Sequence, residues 1–588
     1  MKREILGKNP IGILGVLTSI VVFPNSMDPI NIWKLLILTL GSGLVAWKYG
    51  KIESITNKAF SKILVFCIIL FLIWILLSSL LNSQSTYSLL FGMWGRNNGL
   101  IYYLSIFILV TTILTFKKKI ELDSPLNSLL GLSLIFSIYA WVQYYRMDPV
   151  RIFFPSYDLG STIALTFGNS NFASIMLAIT FTVTFGIFFL SNYSRKFKAI
   201  FILPLLLHLR LIPLIDTQGK IMYALGGGIV FTFWLKQKCT SPKLNFLWQN
   251  WILISMSTGI LGILGLFGQG PFSGVLEDNV RNLKDRYFHW VSAFKMMSDH
   301  ILFGVGIDQF GDWHRLYRVK ESVELRGTPM SGTDNAHNTY LQIGATLGLP
   351  ALIIYSAFIL LITWCSFVVL RRNPNNQTLR SIYFAIWIIY VFQSAISVDH
   401  IGISIWGWIS GAILVRDFLS LDHENIAQPS SNKKINLKFM RKNLSLVTYF
   451  ASLVMAISFI LTLGTVSNEL TLFSKLQKAA NSQNRLEFEV NTEEVLKESI
   501  KSRQPKVRIS TALQLGQIGA ADKALLLAQV TSNEFPRYLD AWHLVASIYE
   551  SRGEFSKAMP ARAKTVELDP LNTVFKDLLN KDINAEPK

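Results

Sequence analysis

The chain alternates long apolar runs with short polar connections, and the lengths of those runs predict helices that cross a membrane. An apolar stretch of roughly 17–25 residues spans the hydrocarbon core as a helix. Thirteen runs approach or meet that length, at about 10–24, 30–47, 63–82, 99–116, 126–145, 171–190, 199–215, 221–235, 250–268, 341–370, 380–397, 401–415 and 444–465. The expected fold class is all-α: a polytopic helical membrane protein of about 13 transmembrane helices. The first run could be a signal peptide, but no small-x-small cleavage site follows it; the sequence runs Phe23-Pro24-Asn25-Ser26. An uncleaved anchor is expected there.

Basic residues orient these spans. Alternate connections carry Lys48, Lys51, Lys58 and Lys62; Lys117, Lys118 and Lys119; Arg195, Lys196 and Lys198; Lys236, Lys238 and Lys243; Arg371, Arg372 and Arg380; and Lys433, Lys434, Lys438, Arg441 and Lys442. With the N-terminus in the cytoplasm all six clusters fall inside, and an odd number of spans puts the C-terminus outside the cytoplasmic membrane. Three outer segments are then large: 146–170, 269–340 and the tail at 467–588.

Composition agrees. Of 588 residues 51% are hydrophobic and 16% charged, against about a quarter charged in a soluble protein. The net charge of +19 raises nucleic acid as a partner, but the cations sit in clusters between apolar runs, which is the pattern of membrane topology. No nucleic acid is expected. Cys67 and Cys365 lie in apolar runs and Cys239 in a basic loop, so no disulfide is expected. The sequence holds no Gly-rich phosphate loop with Lys-Ser/Thr, no Asp-x-Asp pair and no Cys/His cluster. That argues against a metal-dependent nucleotide-sugar transferase and against zinc-dependent or ATP-driven chemistry; no cofactor and no metal site are expected.

The tail repeats itself at a period of 34: Ala512 returns as Ala546, Gly519 as Gly553, Lys523 as Lys557, Ala524 as Ala558 and Pro536 as Pro570. Small residues at these offsets let paired helices pack closely, and Trp542, Tyr549 and Phe555 supply bulky partners in the second unit; Arg508 stands where the first would have its Trp. The pattern resembles the tetratricopeptide repeat. Residues 1–466 are expected to form the membrane domain and 467–588 an extracytoplasmic α-helical repeat domain, with 467–502 and 571–582 capping two repeats. Such a surface docks a protein or peptide; a plain helical hairpin is the alternative.

Candidate chemistry concentrates between Asp285 and Tyr340. The stretch opens with Asp285-Arg286-Tyr287-Phe288-His289-Trp290, passes Gly304-Val305-Gly306 and Phe310, and ends in Asp334-Asn335-Ala336-His337-Asn338-Thr339-Tyr340. An Arg-x-x-x-Trp helix, a Gly-x-Gly turn followed by Phe, and His-Asn-x-Tyr-Leu at the start of a span resemble the O-antigen ligase and polymerase superfamily. Phe91-Gly92 with Arg96-Asn97-Asn98-Gly99, and Phe167-Gly168-Asn169-Ser170-Asn171-Phe172, fit in the same order, so the resemblance covers about 60–415.

The resemblance implies transfer of a glycan from a polyprenyl-pyrophosphate carrier to an acceptor hydroxyl, outside the membrane and without a metal. By it, His337 is the base or a stabiliser of the acceptor and Arg286 binds pyrophosphate. Physically, a paired-donor guanidinium suits phosphate oxygens, and an imidazole suits proton transfer near neutral pH. The family has a second arginine in a short outer turn matched here by Asp216-Thr217-Gln218-Gly219-Lys220. Lys220 supplies charge there without the fork, and Arg210 in the preceding span is the other candidate. Arg96 and His208, the latter in the same span as Arg210, are further candidates for the glycan or pyrophosphate, with Arg326, Asp334, Asp399 and His400 as weaker ones.

Structural alternatives stand beside each: His337 capping a helix, Arg286 anchoring at the interface, Arg210 pairing with Asp216. The acceptor is a lipid or cell-wall glycan, the growing polysaccharide or a protein. Membrane lipids and a protein partner of the tail complete the expected partners. A flippase for the same lipid-linked glycan and a non-catalytic scaffold are the competing classes.

Overall fold

The computed structural model describes residues 10–49, 59–82, 85–115, 123–154, 163–191, 193–238, 280–372, 377–424 and 437–585. Every regular element among them is helical. Among the described residues, eight helices are long and apolar enough to cross a membrane: Lys62–Leu81, Ser124–Tyr144, Ser170–Leu190, Arg195–Leu214, Leu349–Arg372, Gln377–Ile396, Ile401–Leu421 and Tyr449–Ala480. Pro10–Ile20 and Leu100–Thr115 are shorter apolar helices. The helices α1 (Pro10–Ile20), α2 (Asn31–Tyr49), α3 (Ala59–Leu81), α4 (Leu100–Thr115), α5 (Asp123–Tyr144), α6 (Ser170–Leu190), α7 (Ile202–Leu211) and α8 (Thr217–Lys238) coincide with eight expected runs. The ninth run, 250–268, and Cys239 lie outside the described residues.

The bundle has a centre and a rim. α6 and the helix Ile401–Leu421 have 83% of their apolar window buried, whereas Lys62–Leu81 has 33% and both Arg195–Leu214 and Tyr449–Ala480 have 22%. The last three therefore present apolar side chains such as Phe66, Leu206 and Ile460 outward, as a lipid-facing rim requires.

One expected boundary shifts for an identifiable reason, and one long run divides where its sequence Leu347-Gly348-Leu349-Pro350 interrupts it. α1 ends at Ile20, four residues early, because the buried ammonium of Lys34 on α2 caps its C-terminal end, donating to the carbonyls of Thr18, Ser19 and Val21 at 3.2, 2.7 and 3.1 Å. The run 341–370 is two helices, Thr339–Leu347 and Leu349–Arg372, parted at Gly348 with φ +87°.

The outer segment folds as α9 (Val280–Asp299), α10 (Phe310–Tyr317) and α11 (Lys320–Arg326), and leads into α12 (Thr339–Leu347) and α13 (Leu349–Arg372). α14 (Gln377–Ile396) and α15 (Ile401–Glu424) follow. Next, α16 (Leu437–Ala480) runs unbroken for 44 residues, so position 466 is no break in the backbone. At 1.5 Å per residue it is about 66 Å long, roughly twice the thickness of a hydrocarbon core. Its end projects beyond the bundle and carries α17 (Arg485–Lys501), α18 (Pro505–Gln517), α19 (Ala521–Glu534), α20 (Leu539–Ser551), α21 (Phe555–Leu568) and α22 (Thr573–Ala585).

Here the sequence period becomes geometry. α18 and α19 reappear as α20 and α21 with every boundary displaced by 34 residues. Gly519 and Gly553 hold left-handed turns at φ +95° and +74°, while Ala512, Ala524, Ala546 and Ala558 are buried at the helix contacts. Arg508, in the place of Trp542, is buried but satisfied: it donates to Ser502 O, Ile500 O and Glu534 at 2.6, 2.7 and 2.9 Å.

These helices fold back onto the outer segment. Arg537 stacks over Trp313 at 3.3 Å, Lys506 lies over Trp94, and the Gln504 amide donates to Gly92 O at 3.3 Å. At the base, Glu469 of α16 accepts from the Asp28 backbone N–H at 2.9 Å and from Trp94 Nε1 at 3.1 Å.

Candidate active site

Residues 285, 289, 292 and 296 share one face of α9, and His289, Ser292 and Met296 on it are buried while Tyr287 and Phe294 point outward. That face meets the loop entering α12. The approach is close because two glycines permit it. Gly304 (φ +61°) and Gly348 (φ +87°) let the 301–306 loop pair with the end of α12, through Gly306 N–H to Thr346 O at 2.9 Å and Leu349 N–H to Ile301 O at 2.8 Å.

His337 sits just before α12 in a left-handed conformation, φ +48°, unusual for a residue with a side chain. Its backbone N–H donates to Asn335 Oδ1 at 2.8 Å. Asn338, the N-cap, accepts from Leu341 N–H at 3.0 Å and donates to Ala395 O at 2.8 Å. The capping role thus belongs to Asn338. The His337 ring is free of hydrogen bonds among the described residues and stacks on His289, with centroids 5.2 Å apart. His314 meets His289 edge-on at 5.6 Å.

The three arginines differ in their engagement. Arg326 holds Asp285 with both prongs at 2.7 and 2.8 Å, donates to Gly332 O at 3.1 Å, and donates to His289 Nε2 at 2.7 Å. A guanidinium only donates, so His289 Nε2 is the acceptor and the ring proton sits on Nδ1. Arg96 grips Asp334 at 3.1 and 3.0 Å. Arg286 has no ion pair among the described residues. Its guanidinium faces the side-chain amide of Gln218, which accepts from it with the oxygen turned inward.

The remaining candidates are placed apart from this cluster or at its edge. Lys220 is exposed on the first turn of α8, two residues past Gln218. Arg210 is exposed on α7 and makes no ion pair with Asp216 or any other described residue. His208, two residues before it, faces inward and bonds Ser133 Oγ and Tyr223 Oη at 3.0 and 2.7 Å. Asp399 accepts from Tyr390 and Tyr102, and the buried His400 packs against Phe167 and Phe172. Below Arg96 lies a cavity of about 30 Å³ lined by Arg96, Asn98, Asp308, Gln342 and Asp399, large enough to hold a water.

Burial and crowding of cations set the protonation states. Burial, then the neighbouring His289, Arg286 and Arg96, press His337 down to about 3. Burial lowers His289 to about 4, with Arg326 adding to it and Asp285 opposing. Both rings are neutral near pH 7. Burial works to raise the Asp285 carboxyl, but the Arg326 fork overrides it and holds the group below its usual range. Burial pushes Asp308 up to about 7. Among the described residues the cluster therefore presents a neutral imidazole without a hydrogen bond beside a guanidinium without an ion-paired carboxylate. That is a place for an anion and a proton acceptor together.

Sequence reasoning named Arg286 and His337 but missed His289, which stacks on His337, Gln218, which faces Arg286, and Asp285, which anchors Arg326 beside them. The i, i+4 spacing of Asp285 and His289 was the available signal. A family model described as O-Antigen ligase matches residues 159–356. That stretch includes Arg210, Lys220, Arg286, Arg326 and His337, and supports the O-antigen ligase superfamily and, with it, a membrane glycan ligase or polymerase. No curated protein matches the chain significantly.

Proposed function

We propose that this multi-pass membrane protein transfers a glycan from a polyprenyl-pyrophosphate carrier to an acceptor hydroxyl at the outer face of the cytoplasmic membrane, without a metal ion. The observation that carries the reading is the pairing of Arg286, which forms no ion pair among the described residues and faces the Gln218 amide, with the ring of His337, which makes no hydrogen bond among them and stacks on His289.

In the reaction the acceptor oxygen forms a bond to the anomeric carbon, and the bond from that carbon to the pyrophosphate oxygen breaks. Its electron pair leaves with the lipid pyrophosphate, whose charge Arg286 meets with two parallel hydrogen bonds. Lys220, and Arg210 as its alternative, supply a second cation. His337 takes the hydroxyl proton. Burial, then the neighbouring His289, Arg286 and Arg96, keep its basicity low; a bound pyrophosphate offsets the share due to Arg286, so the base strengthens when the donor arrives. Arg96 and Arg326, each bonded to a carboxylate, hold the loop rather than the donor.

The N-terminus is cytoplasmic and the C-terminal helices extracytoplasmic in this reading, supported by the clustering of Lys and Arg on alternate connections. The 34-residue repetition of α18–α21 supports a tetratricopeptide-like tail that docks a protein partner or acceptor. The test is glycan transfer by the purified protein with a lipid-linked glycan and candidate acceptors. His337→Ala is expected to lose transfer while keeping its fold and membrane insertion; undiminished transfer by that variant overturns the reading.

A further inference from the structure

Between α11 and His337 the chain has no regular structure, yet it is held rigidly by an unusual device. Four consecutive carbonyls, those of Pro329, Met330, Ser331 and Gly332, each accept from a guanidinium: Arg318 at 2.9 Å, Arg315 at 3.0 Å, Arg318 at 2.9 Å and Arg326 at 3.1 Å. Arg326 is fixed by Asp285 within the outer segment. The other two are fixed by one carboxylate from the far end of the chain. Asp569, between α21 and α22, accepts from Arg315 at 3.0 Å and from Arg318 at 2.6 Å. Asn572 beside it donates to the same Pro329 carbonyl at 3.3 Å. Asp569 is completely buried and Arg318 nearly so, at 2% exposed.

We propose that Asp569 is a positioning residue for the site: it sets the arginines that clamp residues 329–332 and thereby fixes where His337 stands. Two routes lead from the clamp to the ring. One is the chain itself, five residues from Gly332 to His337. The other is Arg326, which joins Gly332 O to His289 Nε2, on which His337 is stacked. Arg315 and Arg318 are like charges brought side by side, tolerable because the carboxylate lies between them. With Asp569 neutralised, Arg318 becomes a buried cation without a counter-charge, which is strongly unfavourable. It leaves for solvent and releases two of the four carbonyls. The tail is then part of the machinery that aligns the site, in addition to any partner it docks.

The inference rests on the proposed transfer reaction for its kinetic consequence, and its structural consequence is measured separately. In full-length protein, Asp569→Asn keeps the shape and removes the charge, and Asp569→Glu restores the charge. Backbone hydrogen exchange without substrate is expected to quicken at 329–337 in Asp569→Asn and to recover towards wild type in Asp569→Glu. In transfer assays Asp569→Asn is expected to lower kcat roughly tenfold, as slight misplacement of a catalytic group does, with donor KM unchanged because Arg286 is outside the clamp.

The pH profile separates positioning from a loss of folded protein. His337 is faced by His289, Arg286, Arg96 and Asp334, and His289 by Asp285, Arg326, Arg286 and Asp334. Loosening Arg326 and opening the stack moves the acid limb of kcat to higher pH, whereas a smaller folded fraction leaves it in place. Unchanged exchange at 329–337, or an unmoved acid limb, overturns the inference. Quickened exchange in a protein whose wild type transfers no glycan removes the reaction and leaves the clamp standing.

Discussion

His289 and His337 lie ring over ring, their centroids 5.2 Å apart and their planes 20° from parallel. A proton on either ring opposes a proton on the other, and Arg286 opposes both. Their values in the folded protein, about 4 and about 3, lie below the 6.5 or so of an unfolded histidine. Between pH 6.5 and about 3 the unfolded chain therefore takes up protons that the folded chain declines. Stability from these rings is fully present above pH 6.5 and is lost as pH falls through that window. The melting temperature in detergent is expected to fall from pH 6.5 to pH 4, and less steeply in His337→Gln. Parallel curves for the two proteins would contradict the assignment.

His289 also acts as acceptor for Arg326 at 2.7 Å. Replacing His289 with Phe keeps a ring under His337 and removes that acceptor. One guanidinium hydrogen bond is then unmade in a buried place, a loss of about 1–3 kcal/mol. Lower thermal stability and a lower kcat are expected, with donor KM little changed. His289→Gln, which retains an acceptor oxygen, is expected to fall between Phe and wild type in both measurements.

The spans were legible in the sequence because lipid imposes length on apolar runs, and the two principal candidates could be named there because chemistry restricts which residues suit a phosphate and a proton; the structure brings these two into one cluster. Arg286 and His337 stand in motifs that can be read locally. Their partners cannot be. Asp285 and Arg326 meet across the turn of α10, and Arg315 meets Asp569 across most of the second half of the chain; no periodicity encodes such choices. Arg210 shows the opposite case. The run 199–215 gave His208 and Arg210 one shared prospect, yet residues two apart on a helix face different sides, so the bundle took His208 and left Arg210 exposed. The split at Gly348 was visible as Leu347-Gly348-Leu349-Pro350, but its purpose appears only once the 301–306 loop lies against it.

Arg286 separates charge from geometry. Its fork faces the Gln218 amide, and burial lowers its proton affinity while Asp285 and Asp216 oppose that effect. Arg286→Lys keeps a cation but loses the paired donors. Donor KM is expected to rise about tenfold, equivalent to roughly 1.4 kcal/mol of binding, while Arg286→Ala loses more. Equal donor KM in Arg286→Lys and wild type would show that the site needs only charge at that position.

Gly348 and Gly327 offer a comparison of two positive-φ glycines: Gly327 is left-handed helical at φ +68°, ψ 8°, whereas Gly348 at φ +87°, ψ 171° lies in a region that is essentially glycine's alone. A Cβ on Gly327 meets nothing within 4 Å, so Gly327→Ala bears only the backbone penalty of about 1 kcal/mol. A Cβ on Gly348 would lie 2.2 Å from Leu302 O, 2.4 Å from Leu302 C and 2.8 Å from Phe303 N. All three are backbone atoms, and none can rotate aside. Relief requires the 301–306 loop to move off α12, which strains the bonds from Gly306 to Thr346 and from Leu349 to Ile301. Those bonds seat the helix whose first turn follows His337. Gly348→Ala is therefore expected to lose well over 1 kcal/mol of stability and to depress transfer beyond what its folded fraction accounts for, whereas Gly327→Ala costs little in either. Thermal unfolding and transfer rates of the two variants, measured side by side, decide the matter; equal behaviour would mean that the loop yields without disturbing the site.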